Sequence, residues 1–195
     1  MLRIASHGER SLGTDESHEG ALRDEIDRLR GALQRAEQEA TVDAMTGCLN
    51  RRGWTRTVER EERRCRRHGF DAVVVIIDLD GLKEVNDRFG HAAGDRRLIA
   101  CASAISSVVR GEDLVARLGG DEFGVVAVQA RGEAPAALVA QIERAFGEAG
   151  VAGSLGWALR SEHGSLEEAV ASADRRMLEV KRLRRSRRFL GSRSP

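Results

Sequence analysis

A glycine pair at positions 119–120 separates two short apolar runs, residues 114–116 and 125–128, and two acidic residues follow the glycines at once. Short β-type runs joined through a glycine-rich turn are typical of a β-hairpin. Glycine tolerates positive φ angles and lets another backbone or a phosphate approach closely. Because side chains alternate along a strand, we expect Asp121 and Glu122 to point in different directions. The pattern predicts a hairpin with two carboxylates at its turn, although an ordinary solvated turn has the same composition.

A second constraint comes from residues 72–77, a run of mostly β-branched residues that predicts a central strand buried on both faces. The run ends in Asp78-Leu79-Asp80-Gly81. An isolated buried carboxylate is costly, and a bound cation is the usual relief. The end of this strand is therefore a candidate metal site. If the strand lies beside the hairpin, Asp78 and Asp121 become neighbours.

Hydrophobic spacing and capping residues predict the other elements. Asn50 is expected to cap a helix over residues 51–67, and Gly47 to end the helix before it. Asp95 is expected to cap a helix after a loop at residues 89–95, and further helices begin near Pro135 and after Ser165. The order β-αα-ββ-α-β predicts an α+β, ferredoxin-like fold with a mostly antiparallel central sheet and helices on one face.

The N-terminal part differs in character from the rest of the chain. Residues 1–19 are polar and are predicted to be a disordered lead. Residues 20–42 predict an amphipathic coiled-coil helix, because apolar residues recur every three or four positions: Leu22, Ile26, Leu29, Leu33, Ala36 and Ala40. A two-stranded parallel coil is favoured, and a single helix lying on the following domain is the alternative. Residues 186–195 are predicted to be a basic tail.

Composition narrows the function classes. Aromatic residues make up 4% of the chain and tyrosine is absent, so the core must be aliphatic. A net charge of +1 argues against a molecule that binds nucleic acid by its overall charge. The basic stretch 181–188 keeps that class as a rival, but only Phe189 offers a base a stacking surface nearby. Three widely spaced cysteines, no apolar leader and no membrane-length stretch predict a cytoplasmic protein without membrane contact.

Four spaced motifs then occur in one order, and Ala173-Asp174 and Lys181 follow in the last helix. The motifs are Asp43-x-x-Thr-Gly-x-x-Asn-Arg-Arg, Asp78-Leu-Asp-x-x-Lys-x-x-Asn-Asp, Phe89-Gly-His-x-x-Gly-Asp and Gly119-Gly-Asp-Glu-Phe. Over residues 43–185 the chain resembles the GGDEF domain family of diguanylate cyclases. The resemblance implies a nucleotidyl cyclase palm and a reaction that joins two GTP molecules into cyclic di-GMP and releases two pyrophosphates.

The resemblance also implies roles for individual residues. Asp78, the Leu79 carbonyl and Asp121 would bind Mg²⁺ or Mn²⁺, and Asp121 is also the candidate proton acceptor. Glu122 would lie close to the metal, and Lys83 would neutralise the triphosphate. The implied GTP-binding residues are Asn86 and Asp95 for guanine, His91 on the substrate side, and Lys181 and Arg185 for the phosphates. The alternative for His91 is a histidine that only packs in its loop.

Regulation and assembly follow from the same resemblance. One domain binds one GTP, so two domains have to face each other, and the helix at residues 22–40 would tether a homodimer. Arg110-Gly-Glu-Asp113 stands shortly before Gly119, as the RxxD inhibitory site of the family does, and implies feedback by cyclic di-GMP. The alternative for this segment is a solvated turn.

The chain departs from the family at a few positions. Leu118 and Leu178 stand where tyrosine is common, Arg184 stands where glycine is usual, and the interval from Phe123 to Ser154 is short. Gly81 and Leu82 replace bulkier residues. None of these is a proposed metal or guanine ligand, but Arg184 adjoins the phosphate-binding positions. The rival function from another class is a non-catalytic signalling module that binds GTP or cyclic di-GMP.

Overall fold

The computed structural model describes residues 12–129 and 135–191, and its contacts divide the chain into two compact units, Met1–Ala40 and Thr41–Pro195. The first unit contains helix α1 (Leu12–Glu39). Residues 12–19, predicted as part of a disordered lead, are therefore helical, whereas residues 1–11 lie outside the described residues. The large heptad residues of α1 are between 40% and 63% exposed: Leu22, Ile26, Leu29 and Leu33. A coiled coil between two copies stays a prediction.

The second unit is an α+β domain with one four-stranded sheet. Its elements are α2 (Arg51–His68), β1 (Asp71–Leu79), α3 (Leu82–Phe89), α4 (His91–Ser106), β2 (Leu114–Arg117), β3 (Glu122–Gln129), α5 (Pro135–Glu148), β4 (Gly153–Leu159), α6 (Arg160–His163) and α7 (Leu166–Gly191). The strand order is β2-β3-β1-β4, and each neighbouring pair is antiparallel. The predicted fold class and the order β-αα-ββ-α-β are confirmed. The short helix α6 was not predicted.

Helices cover both faces of this sheet. Side chains of β1 alternate between two apolar clusters, with Val73 and Val75 in one and Val74 in the other. The first cluster includes residues of α4 and α5, and the second includes residues of α2 and α7. The expectation of helices on one face was wrong, because an apolar strand with no polar face has to be covered on both sides.

Several helix boundaries agree with the capping residues. The Asn50 side chain accepts a hydrogen bond from the Gly53 amide at 2.9 Å and caps α2. The Ser165 hydroxyl accepts one from the Glu168 amide at 3.2 Å, at the start of α7. Pro135 is the first residue of α5.

Two predictions of helix boundaries were wrong. Helix α1 ends at Glu39, so Gly47 does not terminate it; Gly47, with φ of 72°, closes a turn instead, and its amide donates to the Asp43 carbonyl at 2.9 Å. Asp95 does not cap a helix, since α4 already begins at His91, after Gly90 with φ of 79°. A single glycine is enough to separate α3 from α4.

Helix α7 lies unusually close to the sheet. A Cβ on Gly156 of β4 would overlap backbone atoms of Ala173 and Met177, so glycine at this position permits the close approach. The helix continues to Gly191, so residues 186–191 of the predicted tail are helical, and residues 192–195 lie outside the described residues. Among the described helices, none is both long enough and apolar enough to cross a membrane.

Candidate active site

The end of β1 and the start of β3 meet at one edge of the domain. Asp78 is paired with Glu122 across the two strands, and the Leu79 amide donates a hydrogen bond to the Asp121 carbonyl at 2.9 Å. The Leu118 amide donates to the Glu122 carbonyl at 2.8 Å and closes the hairpin between β2 and β3. The predicted hairpin and the predicted proximity of Asp78 and Asp121 are confirmed.

Gly119 in the turn is needed for space and not for backbone geometry. Neither Gly119 nor Gly120 has a positive φ. A Cβ on Gly119 would lie 3.2 Å from Oε2 of Glu122. Glycine at this position therefore leaves room for the Glu122 carboxylate beside the turn.

Asp78 is the buried acid of the site, with 4% of its surface exposed. Its Oδ2 accepts a hydrogen bond from Nζ of Lys181 at 2.5 Å, whereas its Oδ1 is buried and has no hydrogen-bond partner among the described residues. Burial raises the pKa of Asp78; the bond from Lys181 opposes this rise, and the nearby charges of Asp121 and Asp80 add to it. A buried carboxylate with an open oxygen is a good ligand for a cation.

The donor set suits magnesium. Within the described ranges, no three His, Cys, Asp or Glu side chains converge as a ready-made metal site. Mg²⁺ is commonly held by only one or two carboxylates, and water and substrate phosphates complete its shell. Asp78, Asp121 and the Leu79 carbonyl, all hard oxygen donors, fit that requirement.

The neighbouring acid, Asp80, is occupied differently. The Ser154 hydroxyl donates to its Oδ1 at 3.0 Å, and Nη1 of Arg184 donates to its Oδ2 at 3.1 Å. Its backbone carbonyl accepts a bond from Nη2 of Arg97, on α4, at 3.3 Å. Side chains from β4, α4 and α7 therefore all bind the loop that follows β1.

The residues expected to bind guanine lie where α3 packs against α4. The Asn86 side chain lies against Gly94, where a Cβ would overlap its amide, and the Asn86 Oδ1 is buried without a hydrogen-bond partner among the described residues. Asp95 follows Gly94 in the chain and is half-buried. His91 is exposed at the first residue of α4, and Lys83 is exposed in the first turn of α3. A buried amide oxygen without a partner is uncommon in a folded protein and marks Asn86 as a candidate for binding a polar ligand.

Two phosphate-binding candidates on α7 differ in their surroundings. Lys181 is turned towards Asp78, with 23% of its side chain exposed. Arg185 is exposed on the same helix, one turn further along. The structure therefore brings Lys181 to the candidate metal site and leaves Arg185 at the surface.

Two arginines that sequence reasoning did not single out hold the glycine turn. Nη2 of Arg117 donates to the Gly120 carbonyl at 2.9 Å, and its Nη1 lies 3.3 Å from Oδ2 of Asp43. Nε of Arg51 donates to the Leu118 carbonyl at 2.7 Å, and its Nη2 lies 3.7 Å from Oε2 of Glu122. Arg51 belongs to the motif that begins at Asp43, and Arg117 comes two residues before Gly119. These positions were the only indication of their role in the sequence.

Asp43 is the acidic anchor of this arrangement. Burial by itself raises its pKa, but hydrogen bonds from Thr46 and the charge of Arg117 outweigh burial and hold the pKa below its usual range. The carboxylate therefore stays ionised at neutral pH. It links the turn at residues 43–47 to the hairpin.

The RxxD segment forms a turn between α4 and β2. The Arg110 amide donates to Oδ2 of Asp113 at 2.9 Å, and the Asp113 amide donates to the Arg110 carbonyl at 3.0 Å. The turn borders a groove of about 770 Å³, which is also lined by Arg56 and Arg60 of α2. The groove therefore combines several cationic side chains with one carboxylate.

The sequence profile of the family described as "Diguanylate cyclase, GGDEF domain" matches residues 40–187. The chain belongs to the GGDEF domain family. The match covers all of the residues that build the site at the end of β1. It also covers the turn at residues 43–47 and the RxxD segment.

Individual relatives agree with this assignment. Diguanylate cyclase DgcS of Shewanella oneidensis is 34% identical over 161 residues, which are 78% of this chain and 54% of that protein. A solved GGDEF domain of PA1120 (TpbB or YfiN) from Pseudomonas aeruginosa is 33% identical, with a TM-score of 0.67, and the match covers 73% of this chain and 89% of that one.

A further solved structure contains a ligand. The GGDEF domain of DgcB from Caulobacter crescentus, in complex with c-di-GMP, is 26% identical with a TM-score of 0.67, over 74% of this chain and 91% of that one. This GGDEF chain spans 27% to 54% of the length of the first curated relatives that it matches.

Proposed function

We propose that this GGDEF chain is a diguanylate cyclase, which condenses two GTP molecules into cyclic di-GMP and releases two pyrophosphates. The observation that carries the proposal is the buried Asp78: one of its oxygens has no hydrogen-bond partner among the described residues, and Lys181 binds the other. The charge of Asp121 is near enough to raise the pKa of Asp78. This arrangement offers both a cation site and a cation for phosphates where β1 ends and β3 begins. Family membership and the name of DgcS support the same reaction.

Asp78, Asp121 and the Leu79 carbonyl would hold Mg²⁺ or Mn²⁺. When bound, the metal neutralises charge that develops on the phosphoryl and pyrophosphate oxygens. Lys181, whose amine already lies at the site, would bind the triphosphate together with Lys83 and Arg185. Cationic side chains in these places favour a polyanionic substrate.

Asp121 is also proposed to accept the proton of the attacking 3′-hydroxyl. A carboxylate that binds a metal is a weak base, so the metal role contributes more to the rate than the proton role. Glu122 lies at the same turn, where Arg51 at 3.7 Å orients its carboxylate. It would shape the metal site from the side opposite to Asp121.

Guanine would be recognised between α3 and α4. The Asp95 carboxylate can accept hydrogen bonds from N1–H and N2–H₂ of guanine, which adenine does not present on that edge. The Asn86 amide, whose buried oxygen lacks a partner among the described residues, would bond the same base. His91, exposed at the start of α4, would contact the substrate from the loop side.

The reaction would require a homodimer. Each domain binds one GTP, and both 3′-hydroxyls must meet both α-phosphates, so two copies have to face each other. The exposed heptad residues of α1 would join two copies and raise the local concentration of the second domain. Three free cysteines and a GTP substrate are consistent with action in the cytoplasm.

Cyclic di-GMP would inhibit the enzyme at the groove beside Arg110 and Asp113. Arginine can stack on guanine or bind phosphate in a bidentate manner, and the carboxylate accepts from the base. Arg56 and Arg60, which line the same groove, add positive charge for a ligand with two phosphates. The complex of DgcB with c-di-GMP supports a product site on this kind of domain.

The test uses purified dimeric protein freed of bound nucleotide and incubated with GTP and Mg²⁺, with the nucleotides separated by chromatography. The wild type is expected to form cyclic di-GMP, and Asp121→Asn is expected to form none. Glu148→Gln, at an exposed acid of α5, is the matched control and should behave like the wild type. A dimeric wild type that binds GTP or cyclic di-GMP but forms no product would establish the binding module instead.

A further inference from the structure

Arg184 of α7 contacts three parts of the domain at once, at a position where glycine is usual in the family. Its Nη1 donates to Oδ2 of Asp80 at 3.1 Å and to the carbonyl of Gly153. Its Nη2 lies 3.9 Å from Oε1 of Glu143, on α5. The guanidinium therefore connects the loop after β1 with strand β4 and helix α5.

The two acids of the Asp78-Leu79-Asp80 segment have opposite surroundings. Both oxygens of Asp80 are occupied, one by Arg184 and the other by the Ser154 hydroxyl at 3.0 Å. One oxygen of Asp78 has no hydrogen-bond partner among the described residues. In this segment, Asp80 therefore has both oxygens hydrogen-bonded, whereas Asp78 has one oxygen that could bind a cation.

Asp80 lies near the metal site without joining it. Asp80 and Asp121 are both close enough to Asp78 for their negative charges to raise its pKa. Nevertheless, in the described part of the chain no three acidic, histidine or cysteine side chains converge on one point. Arg184 and Ser154 instead bind the two oxygens of the Asp80 carboxylate.

We propose that Arg184 is a positioning residue that keeps Asp80 out of the metal site, so that Asp78 and Asp121 alone supply its carboxylates. The proposal rests on the proposed cyclase function. Mg²⁺ in phosphoryl-transfer sites needs few protein carboxylates, because substrate phosphates must complete its shell. A third carboxylate would bind the metal more tightly and repel the triphosphate.

Arg184 and Lys181 divide this work. They are three residues apart on α7, so they share one face of the helix. Lys181 contacts a single carboxylate oxygen and can exchange it for a phosphate, whereas Arg184 is held by acceptors from three elements. An arginine fork suits the fixed role, and a flexible ammonium suits the exchangeable one.

The test is titration of nucleotide-free protein with Mn²⁺ by calorimetry, at a temperature where circular dichroism shows every variant folded. Arg184→Ala is expected to bind Mn²⁺ about three- to tenfold more tightly, because a nearby positive charge is lost and Asp80 becomes free. Asp80→Asn in the Arg184→Ala background should remove most of that gain. Arg182→Ala, at an exposed position on the same helix, removes the same charge and should leave the affinity unchanged.

Arg184→Lys covers the case in which the alanine variant does not fold. It keeps the charge but loses the fork, so it should give an intermediate affinity. Equal or weaker Mn²⁺ binding in Arg184→Ala or Arg184→Lys, with only a lower Tm, would overturn the proposal. A gain that persists with Asp80→Asn would also overturn it.

Activity provides an independent reading. In an active cyclase, Arg184→Ala should lower the Mg²⁺ concentration needed for half-maximal rate and lower kcat severalfold. The Mn²⁺ titration involves no GTP, so its outcome decides the role of Arg184 even if the wild type forms no cyclic di-GMP. Absence of product, by contrast, bears on the proposed function.

Discussion

Glu62 of α2 makes a bidentate ion pair that connects elements far apart in the sequence. Its two carboxylate oxygens accept hydrogen bonds from Nη2 and Nε of Arg160, each at 2.8 Å, and Oε2 also accepts one from the Leu166 amide at 2.9 Å. The side chains of Arg160 and Glu62 are only 15% and 19% exposed. We therefore expect Glu62→Gln to be clearly destabilising, although glutamine has nearly the same shape.

The magnitude follows from this burial. Removing one partner of a fully buried pair costs roughly 3–5 kcal/mol, and a surface pair contributes at most about 1 kcal/mol. A pair that is mostly but not fully buried, in which glutamine keeps the bond to the Leu166 amide, should lose about 2–3 kcal/mol. For a domain of this size, that loss corresponds to a decrease in Tm of about 5–10 °C.

The pH dependence has a definite sign. The hydrogen bonds from Arg160 are the largest cause that lowers the pKa of Glu62, and burial opposes them, so the folded pKa lies below the usual value of 4.5. The stabilisation is therefore complete above about pH 4.5 and is lost as the pH falls through the folded pKa. The difference between wild type and Glu62→Gln should be largest near pH 7 and shrink in acid.

Thermal unfolding followed by circular dichroism between pH 3.5 and 7 measures this difference. Glu59→Gln, an exposed position on the same helix, is the matched control and should shift Tm by less than about 1 °C. If Glu62→Gln unfolds at the same temperature as Glu59→Gln, or if their difference does not change with pH, the reasoning is refuted.

Three other variants test the site. Lys181→Met should weaken GTP binding at least tenfold. It should strengthen Mn²⁺ binding without nucleotide, because the ammonium group that competes with the metal for Asp78 is lost. Calorimetry that shows both affinities weakened would contradict this prediction. Gly156→Ala should cost about 3 kcal/mol in denaturant unfolding because its Cβ meets the backbone of α7, and a change below about 1 kcal/mol would show that the helix can move. Asp113→Asn should raise the cyclic di-GMP concentration for half-inhibition at least tenfold with an unchanged initial rate, and unchanged inhibition would exclude the RxxD site.

The meeting of Asp78 and Asp121 could be predicted because local patterns were sufficient for it. A β-branched run and a glycine-linked hairpin each define strands, and the element order then leaves few topologies. The first residues of α2, α5 and α7 followed from Asn50, Pro135 and Ser165 for the same reason. Capping residues act within one turn of the helix that they begin.

The wrong predictions of helix boundaries arose at glycines, which can either end a helix or allow close packing inside one. Residues 89–95 contain two glycines and were expected to be a loop, yet Gly94 lies inside α4. Its missing Cβ makes room for the Asn86 side chain, which is a requirement of tertiary packing. Local propensity cannot distinguish a glycine that breaks a helix from one that allows close packing.

Long-range side-chain partners were the other gap. Arg117 and Asp43 are 74 positions apart, and Arg184 and Asp80 are 104 positions apart. Arg184 was recognised only as a departure from the family pattern, and nothing in the sequence identified its acceptors. Such contacts depend on where each helix packs on the sheet, and the local sequence does not determine that position.

The packing of α7 against the sheet also determines where two residues of the proposed active site lie. The depth of this helix against the sheet is set at Gly156, where the backbones of β4 and α7 approach closely. The same helix places Lys181 on Asp78 and Arg184 on Asp80, while Nη1 of Arg176 donates to the Trp157 carbonyl at 2.6 Å. A shift of α7 would therefore displace the two cations together. We expect variants at Gly156 to alter Mn²⁺ and GTP binding, even though that residue touches neither ligand in the proposed site.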